Sequence, residues 1–407
     1  MPRYAILAHE SFDYILSKTG NMLIRYKPNE VCAVIDRNHY GKTAEDVLGW
    51  GGSIPCVLNF DQAKQYAPTH LVIGNAPQGG SLDNKSLIEI EKAIDYGCDI
   101  ISGMHSLLKN DNHLVDKAKK NNVSLVDLRN TPNPPHFPKG SWKERKFPVL
   151  LVVGSDCDTG KMTTAWEICK ELNKRKWNVK FLGTGQTGIL LSGNGVPIDA
   201  VISDFMAGEI EHHLDKFSND TDLVIVEGQG ALNNMFYSGV TLGLLHGCMP
   251  DFLIMTHEPY RELDVSDYPI PSLEELMTLH LNLLKPFKDS TFVGINLLTL
   301  KLNRNEAKKY IQNINKNGIK DIIKSISDSF IISEYSDEII EDELRPNEFF
   351  IISESEKIKL LCQIKDSDEK RFYSMSVYAV QDLIIDKFKS IGYANKAAKN
   401  HFGSSIV

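Results

Sequence analysis

Short apolar runs alternate with longer helix-like segments along most of the chain. In the first part of the sequence, residues 85–96 and 113–121 have the spacing of amphipathic helices. The apolar runs are bounded by glycine, proline or polar residues, as strands are, and they occupy residues 4–8, 31–35, 70–73, 99–101 and 124–128. Strands that alternate with helices form doubly wound parallel sheets, because each crossover helix packs on a face of the sheet. Residues 1–140 are therefore predicted to form a Rossmann-like α/β domain.

A second set of apolar runs follows a proline-rich stretch at residues 131–138, which cannot continue a helix and predicts a linker. These runs occupy residues 147–153, 179–182, 222–226, 251–255 and 291–297, and a polar or glycine-rich loop follows each of them. Ligands bind at the carboxyl ends of the strands in an open α/β sheet, so these loops should meet over one cleft. The pattern predicts a second doubly wound, mostly parallel α/β domain at residues 141–300.

Beyond residue 300 the composition shifts towards lysine, isoleucine, asparagine and serine. Residues 305–315 and 377–391 have helical spacing, and residues 349–352 form an apolar run. We expect residues 301–407 to form an α+β extension that serves as a lid or an interface.

A glycine-rich turn after the apolar run at 147–153 is the strongest chemical signal. It reads Gly154-Ser-Asp-Cys-Asp-Thr-Gly160-Lys161 and continues into a helix-like segment. Backbone N–H groups and a helix N-terminus converge at such a turn and hold a phosphate. Five residues separate the glycines instead of the usual four, and Met162 stands where a hydroxyl usually reaches Mg²⁺. The predicted phosphate contacts are Gly154, Asp156, Thr159, Gly160, Lys161, Thr163 and Thr164.

Other loops at strand ends carry residues that suit a nucleotide or a metal ion. Glu227 follows the run at 222–226, where phosphate-loop enzymes place the acid that holds Mg²⁺; an acid that caps the next glycine turn is the alternative. Asp204 is either a second metal ligand or only an acid at the start of a helix. Further nucleotide contacts are predicted at Gln186, Thr187, Gly228 and Asn296.

A polar cluster follows the run at 251–255. His257 and Glu258 are candidates for moving a proton, and Arg261 is a candidate for holding a carboxylate or phosphate through two hydrogen bonds. In the first domain, Gly79 and Gly80 follow a strand, where paired glycines let a substrate approach the backbone; a plain turn is equally consistent.

Composition and charge narrow the classes of partner. The 407 residues carry a net charge of −8, which argues against a nucleic-acid or anionic-membrane surface. No apolar stretch reaches about 18 residues, and seven scattered cysteines without a C-x-x-C pair are typical of a reducing compartment. We therefore expect a cytoplasmic protein. The first domain lacks the G-x-G-x-x-G fingerprint after its first strand, so NAD is not expected.

These motifs together resemble the DgcN-type family of D-glutamate N-acetyltransferases. The resemblance rests mainly on Gly160-Lys-Met-Thr-Thr164 paired with Glu227-Gly-Gln-Gly230, and it spans residues 1–300. Supporting motifs are Val72-Ile-Gly74, Thr184-Gly-Gln-Thr-Gly188, Leu245-His-Gly247 and His257-Glu-Pro259. The resemblance implies a Rossmann-like N-terminal domain and a phosphate-loop domain similar to dethiobiotin synthetase. It also implies transfer of an acetyl group from acetyl-CoA to the amine of D-glutamate.

Acyl transfer is one of two mechanisms that the residues leave open. In this mechanism Lys161 and the glycine loops hold the phosphates of coenzyme A, and Arg261 anchors the carboxylate of the acceptor. His257 or Glu258 deprotonates the amine, and backbone N–H groups stabilise the oxyanion.

The alternative is an ATP- and Mg²⁺-dependent ligase or kinase similar to dethiobiotin synthetase. Lys161 would bridge the phosphates and Asn296 would recognise the base, while the metal ligands would be Thr163, Asp204 and Glu227. The loop itself slightly favours ATP, whereas the family resemblance favours acyl transfer, which is our expectation. A non-catalytic nucleotide-binding protein is a third reading. We expect a small amino-acid substrate, a homo-oligomer, and no nucleic-acid or membrane partner.

Overall fold

The computed structural model describes residues 1–13, 16–75, 82–174, 176–298, 302, 306 and 309–310, together with the backbone of 362–365 and 372–375. Gly79 and Gly80 lie outside the described residues, as do the segments predicted at 349–352 and 377–391 and most of the helix predicted at 305–315. The chain divides into two compact units, Met1–Pro132 with Gly185–Ala200 and Asn133–Thr184 with Val201–Val407. The boundaries at residues 140 and 300 stay predictions.

The first unit is built on a six-stranded parallel sheet in the order β3-β2-β1-β4-β5-β6. Its strands are β1 (Tyr4–Leu7), β2 (Val31–Ile35), β3 (Cys56–Val57), β4 (His70–Ile73), β5 (Asp99–Ser102) and β6 (Leu125–Asp127). Its helices are α1 (Lys18–Tyr26), α2 (Ala44–Leu48), α3 (Phe60–Ala63), α4 (Asn84–Tyr96), α5 (Asn112–Asn121) and α7 (Gln186–Ser192). The predicted doubly wound sheet is confirmed. The sequence did not predict β3, which contains only two residues of the short apolar run at 54–58 and directly follows Pro55.

Side-chain caps explain where several helices begin. Asp83 accepts a hydrogen bond from Ser86 N at the start of α4, and Gly97 ends that helix with φ of 96°, a conformation that costs glycine little. Asp111 caps α5 in the same way by accepting from the backbone N–H groups of its first turn. These local signals are why the predicted bounds of both helices agree closely with the observed ones.

Helix α1 packs very closely on the sheet where the strand order reverses, between β1 and β4. Gly20 N donates to Gly74 O at 3.2 Å. A Cβ at Gly20 would lie 2.7 Å from Ile6 Cγ2, and a Cβ at Gly74 would lie 2.5 Å from the same atom. The approach of helix to sheet therefore depends on glycine at both positions.

The second unit contains a five-stranded parallel sheet in the order β11-β10-β7-β9-β8. Its strands are β7 (Val149–Gly154), β8 (Val179–Leu182), β9 (Leu223–Val226), β10 (Phe252–His257) and β11 (Thr291–Leu297). Its helices are α6 (Lys161–Lys174), α8 (Met206–Leu214), α9 (Ser238–Cys248) and α10 (Leu273–Leu284). Beyond them, β12 (Cys362–Lys365) and β13 (Phe372–Met375) form an antiparallel pair. Every residue of β7 is buried, which explains why this strand reads as a continuous apolar run.

Carboxylates of α8 hold part of the proline-rich stretch that was predicted as a linker. Glu209 is fully buried and accepts His136 N at 2.6 Å, while Glu211 accepts Ser141 N at 2.5 Å. A Cβ at Gly208 would lie 2.2 Å from His136 O, so the backbone of the stretch lies directly against the helix. This part of the linker is therefore packed on α8.

Glu209→Ala should lower the free energy of unfolding by about 1–3 kcal/mol, because His136 N then loses its acceptor in a buried place. Glu209→Gln should cost less, since the amide oxygen can still accept. Urea denaturation of the full chain measures both changes, with the exposed Glu144→Ala as a matched control. Equal unfolding midpoints for Glu209→Ala and Glu144→Ala would show that the buried carboxylate does not hold the stretch.

Candidate functional site

The phosphate loop connects β7 to α6 at the centre of the second sheet. The strand ends at Gly154 and the helix begins at Lys161. Between them Asp158 and Gly160 have positive φ angles of 57° and 94°, which turn the backbone back on itself. A Cβ at Gly154 would lie 2.6 Å from Thr159 Oγ1 and 2.9 Å from Lys161 Nζ. Glycine at the end of the strand therefore lets the loop and its lysine close over that end.

Lys161 and Thr159 hold the loop closed. Lys161 is 7% exposed, and its Nζ donates to Asp156 O at 2.6 Å. Thr159 Oγ1 donates to the same carbonyl at 3.0 Å and lies 2.7 Å from Thr256 Oγ1 on β10. Gly228 lies directly against β7, since a Cβ there would lie 1.8 Å from Val152 O, and it also borders the lysine stem, with Lys161 Cδ 3.3 Å from the same position. The structure thus brings together four of the predicted phosphate contacts, namely Gly154, Asp156, Thr159 and Lys161.

Asp156 is fully buried, and three groups hold its carboxylate. Oδ2 accepts Val265 N at 2.8 Å and also accepts Arg261 Nη2, while Oδ1 accepts Asn234 Nδ2 at 3.2 Å. Arg261 donates a further bond from Nη1 to Cys157 O at 3.0 Å. A buried carboxylate is tolerated only when its charge is paired and its oxygens accept hydrogen bonds. These contacts fix the shape of the phosphate loop.

The guanidinium of Arg261 faces protein acids in this structure. Besides its bond to Asp156, its Nη1 lies 3.5 Å from Glu258 Oε2, and Glu258 is itself buried. The structure therefore brings together two of the predicted residues of this loop and ties both to the phosphate loop. The arginine positions the loop, and its binding of a substrate carboxylate stays a prediction.

Asn234 is a central residue of the site that the sequence analysis missed. It is fully buried, and its Nδ2 lies 3.0 Å from Asp264 Oδ2 and 3.2 Å from Ser266 Oγ as well as bonding to Asp156. The partners Asp264 and Asp156 stand 30 and 78 positions away in the sequence. No local spacing rule marks such a residue, so only the fold reveals its role.

Glu227 ties the ends of two neighbouring strands together. Its Oε2 accepts Thr184 N at 3.0 Å, and Thr184 Oγ1 donates to Glu227 O at 2.8 Å. Gln229 Nε2 donates to Thr184 O at 2.5 Å and completes the connection between the loops after β8 and β9. Glu227 is 6% exposed, and its predicted role as a Mg²⁺ ligand stays a prediction.

Of the other residues predicted to contact a metal ion or the base, Thr163, Thr164 and Asn296 are buried, whereas Asp204 is exposed. Thr163 and Thr164 are buried in the first turn of α6, and Asn296 Nδ2 donates to Thr164 Oγ1 at 2.9 Å. Asp204 is exposed on a single helical turn before α8. Within the described part of the chain, no group of three or more His, Cys, Asp and Glu side chains is placed to hold a metal ion. Mg²⁺ often takes only one or two protein carboxylates together with phosphate oxygens, so its predicted ligands stay predictions.

Gln186 and Thr187, also predicted as nucleotide contacts, belong to the first unit. Gln186 Oε1 accepts Arg129 Nη2 at 2.8 Å, and Arg129 also pairs with Asp199. Thr187 Oγ1 lies 3.1 Å from Thr19 Oγ1, and either hydroxyl group can donate. Both side chains thus have partners on helices and loops of the first unit, and their nucleotide role stays a prediction.

His257 is buried between two hydroxyl groups. Its Nδ1 lies 2.8 Å from Ser155 Oγ, and its Nε2 lies 2.6 Å from the hydroxyl of Tyr310, a residue the sequence analysis did not select. Burial, together with the charge of Arg261, lowers the pKa of His257 to about 4. The ring is therefore neutral near pH 7, with Ser155 and Tyr310 as its hydrogen-bond partners.

A glycine loop between a central parallel strand and a helix, with a buried lysine at the helix start, defines a phosphate-loop protein. The family models agree with this class. Residues 136–321 match the model described as "Domain of unknown function (DUF1611_C) P-loop domain", and residues 37–131 match the one described as "Domain of unknown function (DUF1611_N) Rossmann-like domain". The chain belongs to this DUF1611 family, which confirms the predicted family and its two domain types.

Similar proteins include two that are named D-glutamate N-acetyltransferase. The one from Tritonibacter scottomollicae is 40% identical over 260 residues, which cover 63% of this chain and 77% of that protein. The one from Pseudoalteromonas sp is 40% identical over 242 residues, which cover 59% of this chain and 72% of that protein. A crystal structure of a DUF1611 family protein from Anabaena variabilis is 32% identical, with a TM-score of 0.74, and covers 80% of this chain and 98% of that one.

A search of the described helices for membrane spans is negative: none of them is long and apolar enough to cross a membrane.

The fold should lose stability on acidification because of His257. Its pKa is about 4 in the folded chain and about 6.5 when unfolded, so the neutral ring contributes fully above pH about 6.5. The contribution, up to about 3 kcal/mol, is lost as the pH falls from about 6.5 towards 4. His257→Asn should therefore show a shallower decline of unfolding free energy over this range, measured by urea denaturation at several pH values.

The exposed His105→Asn is the matched control and should keep the slope of the unsubstituted chain. If His257→Asn kept that slope as well, the ring would not be held neutral by burial.

Proposed function

We propose that the chain is an N-acetyltransferase that moves the acetyl group of acetyl-CoA to the amine of an acidic amino acid such as D-glutamate. The two relatives named D-glutamate N-acetyltransferase support the prediction of an amino-acid N-acetyltransferase. The choice of acetyl-CoA as the donor and of an acidic amino acid as the acceptor is our own addition to that prediction. The observation that carries the donor is the preformed phosphate loop around Lys161, because coenzyme A is an acyl carrier that bears phosphates.

In this proposal the loop binds the phosphates of coenzyme A. The backbone N–H groups between Gly154 and Gly160 and the start of α6 provide donors, and Lys161 provides a positive charge. Asp156 lies inside the loop, but the guanidinium of Arg261 neutralises its charge, so it does not repel an anion. The loop therefore stays attractive to phosphate although it contains a carboxylate.

The chemical step needs a neutral amine and a stabilised oxyanion. The amine nitrogen attacks the carbonyl carbon of the thioester, the C–N bond forms, and the C–S bond breaks. The amine proton passes to a base, and coenzyme A leaves as a thiolate that takes up a proton. Backbone N–H donors of the glycine loops are suited to stabilise the oxyanion that forms between these events.

Glu258 suits the role of base better than His257. Both ring nitrogens of His257 already contact hydroxyl groups, so neither faces an open position for an amine. Glu258 presents a carboxylate that Arg261 orients from 3.5 Å. We therefore assign the amine proton to Glu258 and leave His257 a role in fixing Ser155 of the phosphate loop.

An ATP- and Mg²⁺-dependent ligase or kinase is the second candidate, and the position of Glu227 favours it. The residue follows β9 beside the central strand β7, where phosphate-loop enzymes keep the acid that holds Mg²⁺. In the acyl-transfer mechanism the same carboxylate has a structural role, because it accepts Thr184 N. Non-catalytic nucleotide binding is the third candidate.

Acetyl transfer should be detectable by mass spectrometry when the full chain is incubated with acetyl-CoA and a panel of D- and L-amino acids. We expect an N-acetyl product with an acidic amino acid, together with one equivalent of free coenzyme A. The same panel is run in parallel with ATP and Mg²⁺. Release of ADP without any consumption of acetyl-CoA would replace the transferase by the ligase or kinase.

Glu227→Gln separates the two mechanisms within one variant. The amide oxygen can still accept Thr184 N, so an acyl transfer that needs no metal should keep most of its rate. A Mg²⁺-dependent reaction should fall by about 100-fold or more, because a neutral amide replaces the anionic ligand. Initial rates with each donor give the answer, and a rate that collapses with acetyl-CoA as donor would contradict the purely structural role.

A further inference from the structure

The loop after β9 carries an amide for which the described residues supply no hydrogen-bond partner. The Oδ1 and Nδ2 atoms of Asn233 are shielded from solvent, and neither has a hydrogen-bond partner in the described part of the molecule. Burying a donor and an acceptor without partners is costly, so such a group calls for a ligand that supplies both. Asn234, the next residue, bonds to Asp156, which places this loop against the phosphate loop.

Large apolar side chains lie exposed on both loops that Asn234 joins. Met235 and Phe236 are 62% and 64% exposed, and Leu263 and Val265 are 49% and 45% exposed. We call these four residues the apolar collar. Their loops are held together because Asn234 bonds to Asp264, and they are held to the phosphate loop because Val265 N donates to Asp156. The collar therefore borders the phosphate site.

We propose that Asn233 and the apolar collar bind the pantetheine arm of an acyl-CoA whose phosphates lie in the phosphate loop. The inference rests on the proposed function and adds the subsite that would distinguish coenzyme A from simpler nucleotides. The arm is uncharged, and it carries two amide groups and a branched hydrocarbon segment. Asn233 offers one donor and one acceptor to an amide, and the collar covers hydrocarbon without contributing charge.

The collar residues suit a flexible chain. Met235, Leu263 and Val265 are aliphatic, and methionine and leucine fill irregular gaps along such a chain. The same two loops also expose Tyr237, Tyr260 and Tyr268, on which a planar base can stack, so the adenine of the same coenzyme has a surface nearby. The arm matches Asn233, because each of its amide groups supplies both a donor and an acceptor.

Isothermal titration of the full chain with coenzyme A, 4′-phosphopantetheine and ADP tests the proposal. ADP lacks the arm and the 3′-phosphate of coenzyme A, and phosphopantetheine lacks the adenosine, so the effect of each substitution on all three ligands is what isolates the arm. Coenzyme A should bind at least tenfold more tightly than ADP. Asn233→Leu should weaken coenzyme A and phosphopantetheine by about tenfold and leave ADP unchanged, because only the amide contacts are lost. The exposed Asn219→Leu is the matched control and should change none of the three affinities. Phe236→Ser should weaken the two arm-bearing ligands in the same selective way.

Three outcomes would overturn the subsite. The first is that coenzyme A binds no more tightly than ADP. The second is that Asn233→Leu weakens ADP as much as coenzyme A, and the third is that neither substitution changes the affinity of the arm-bearing ligands. Lys161→Ala tests the underlying phosphate site separately, because it should weaken all three ligands. Selective binding of coenzyme A without any acetyl transfer would uphold the subsite and refute the proposed function instead.

Discussion

A carboxylate buried inside the phosphate loop is the constraint on which the site depends. Asp156 has no exposure, and its charge is tolerated only because Arg261, Asn234 and a backbone N–H reach it from loops that follow other strands. Removing Arg261 would take away the cation that pairs with this buried charge, and removing Asn234 would take away a hydrogen bond to Oδ1. The same bonds join the loops after β7, β9 and β10, so the cleft edge is assembled around one aspartate before any ligand binds. Such preorganisation lowers the ordering cost of binding.

The polar residues of the cleft thus divide into those that build it and those left to act on a ligand. Arg261, His257 and Glu227 all have protein partners in this structure, although each was first considered for a direct chemical role. In the proposed mechanism Glu258 and Lys161 have both functions, since each has a structural contact and a charge suited to a substrate. A mutation in such a site can lower activity because it disturbs the fold or because it removes a group that acts on the ligand. Only variants that keep the hydrogen-bonding capacity of the side chain distinguish these two effects.

Local patterns predicted the parts of the fold that are encoded over short distances. The two parallel sheets follow from apolar runs and their turns, and the phosphate loop follows from the spacing of Gly154, Gly160 and Lys161. Asn234 and Tyr310 were not predicted, because their roles arise only when distant segments meet. The grouping of α7 with the first unit was not predicted either. A prediction that divides the chain into consecutive domains cannot assign residues 185–200, which are flanked by the second unit, to the first unit.

The return of the chain to the first unit at α7 affects how the protein can be cut into fragments and how it can evolve. The backbone passes from one unit to the other at residues 132–133, 184–185 and 200–201. A fragment that begins at residue 133 would contain Gln186 but not Arg129, its hydrogen-bond partner. A single crossover between genes would likewise pair α7 with a foreign first unit that has not co-evolved with it. The two units are therefore expected to be inherited as a pair and to resist the modular exchange that is common among domains joined by one linker.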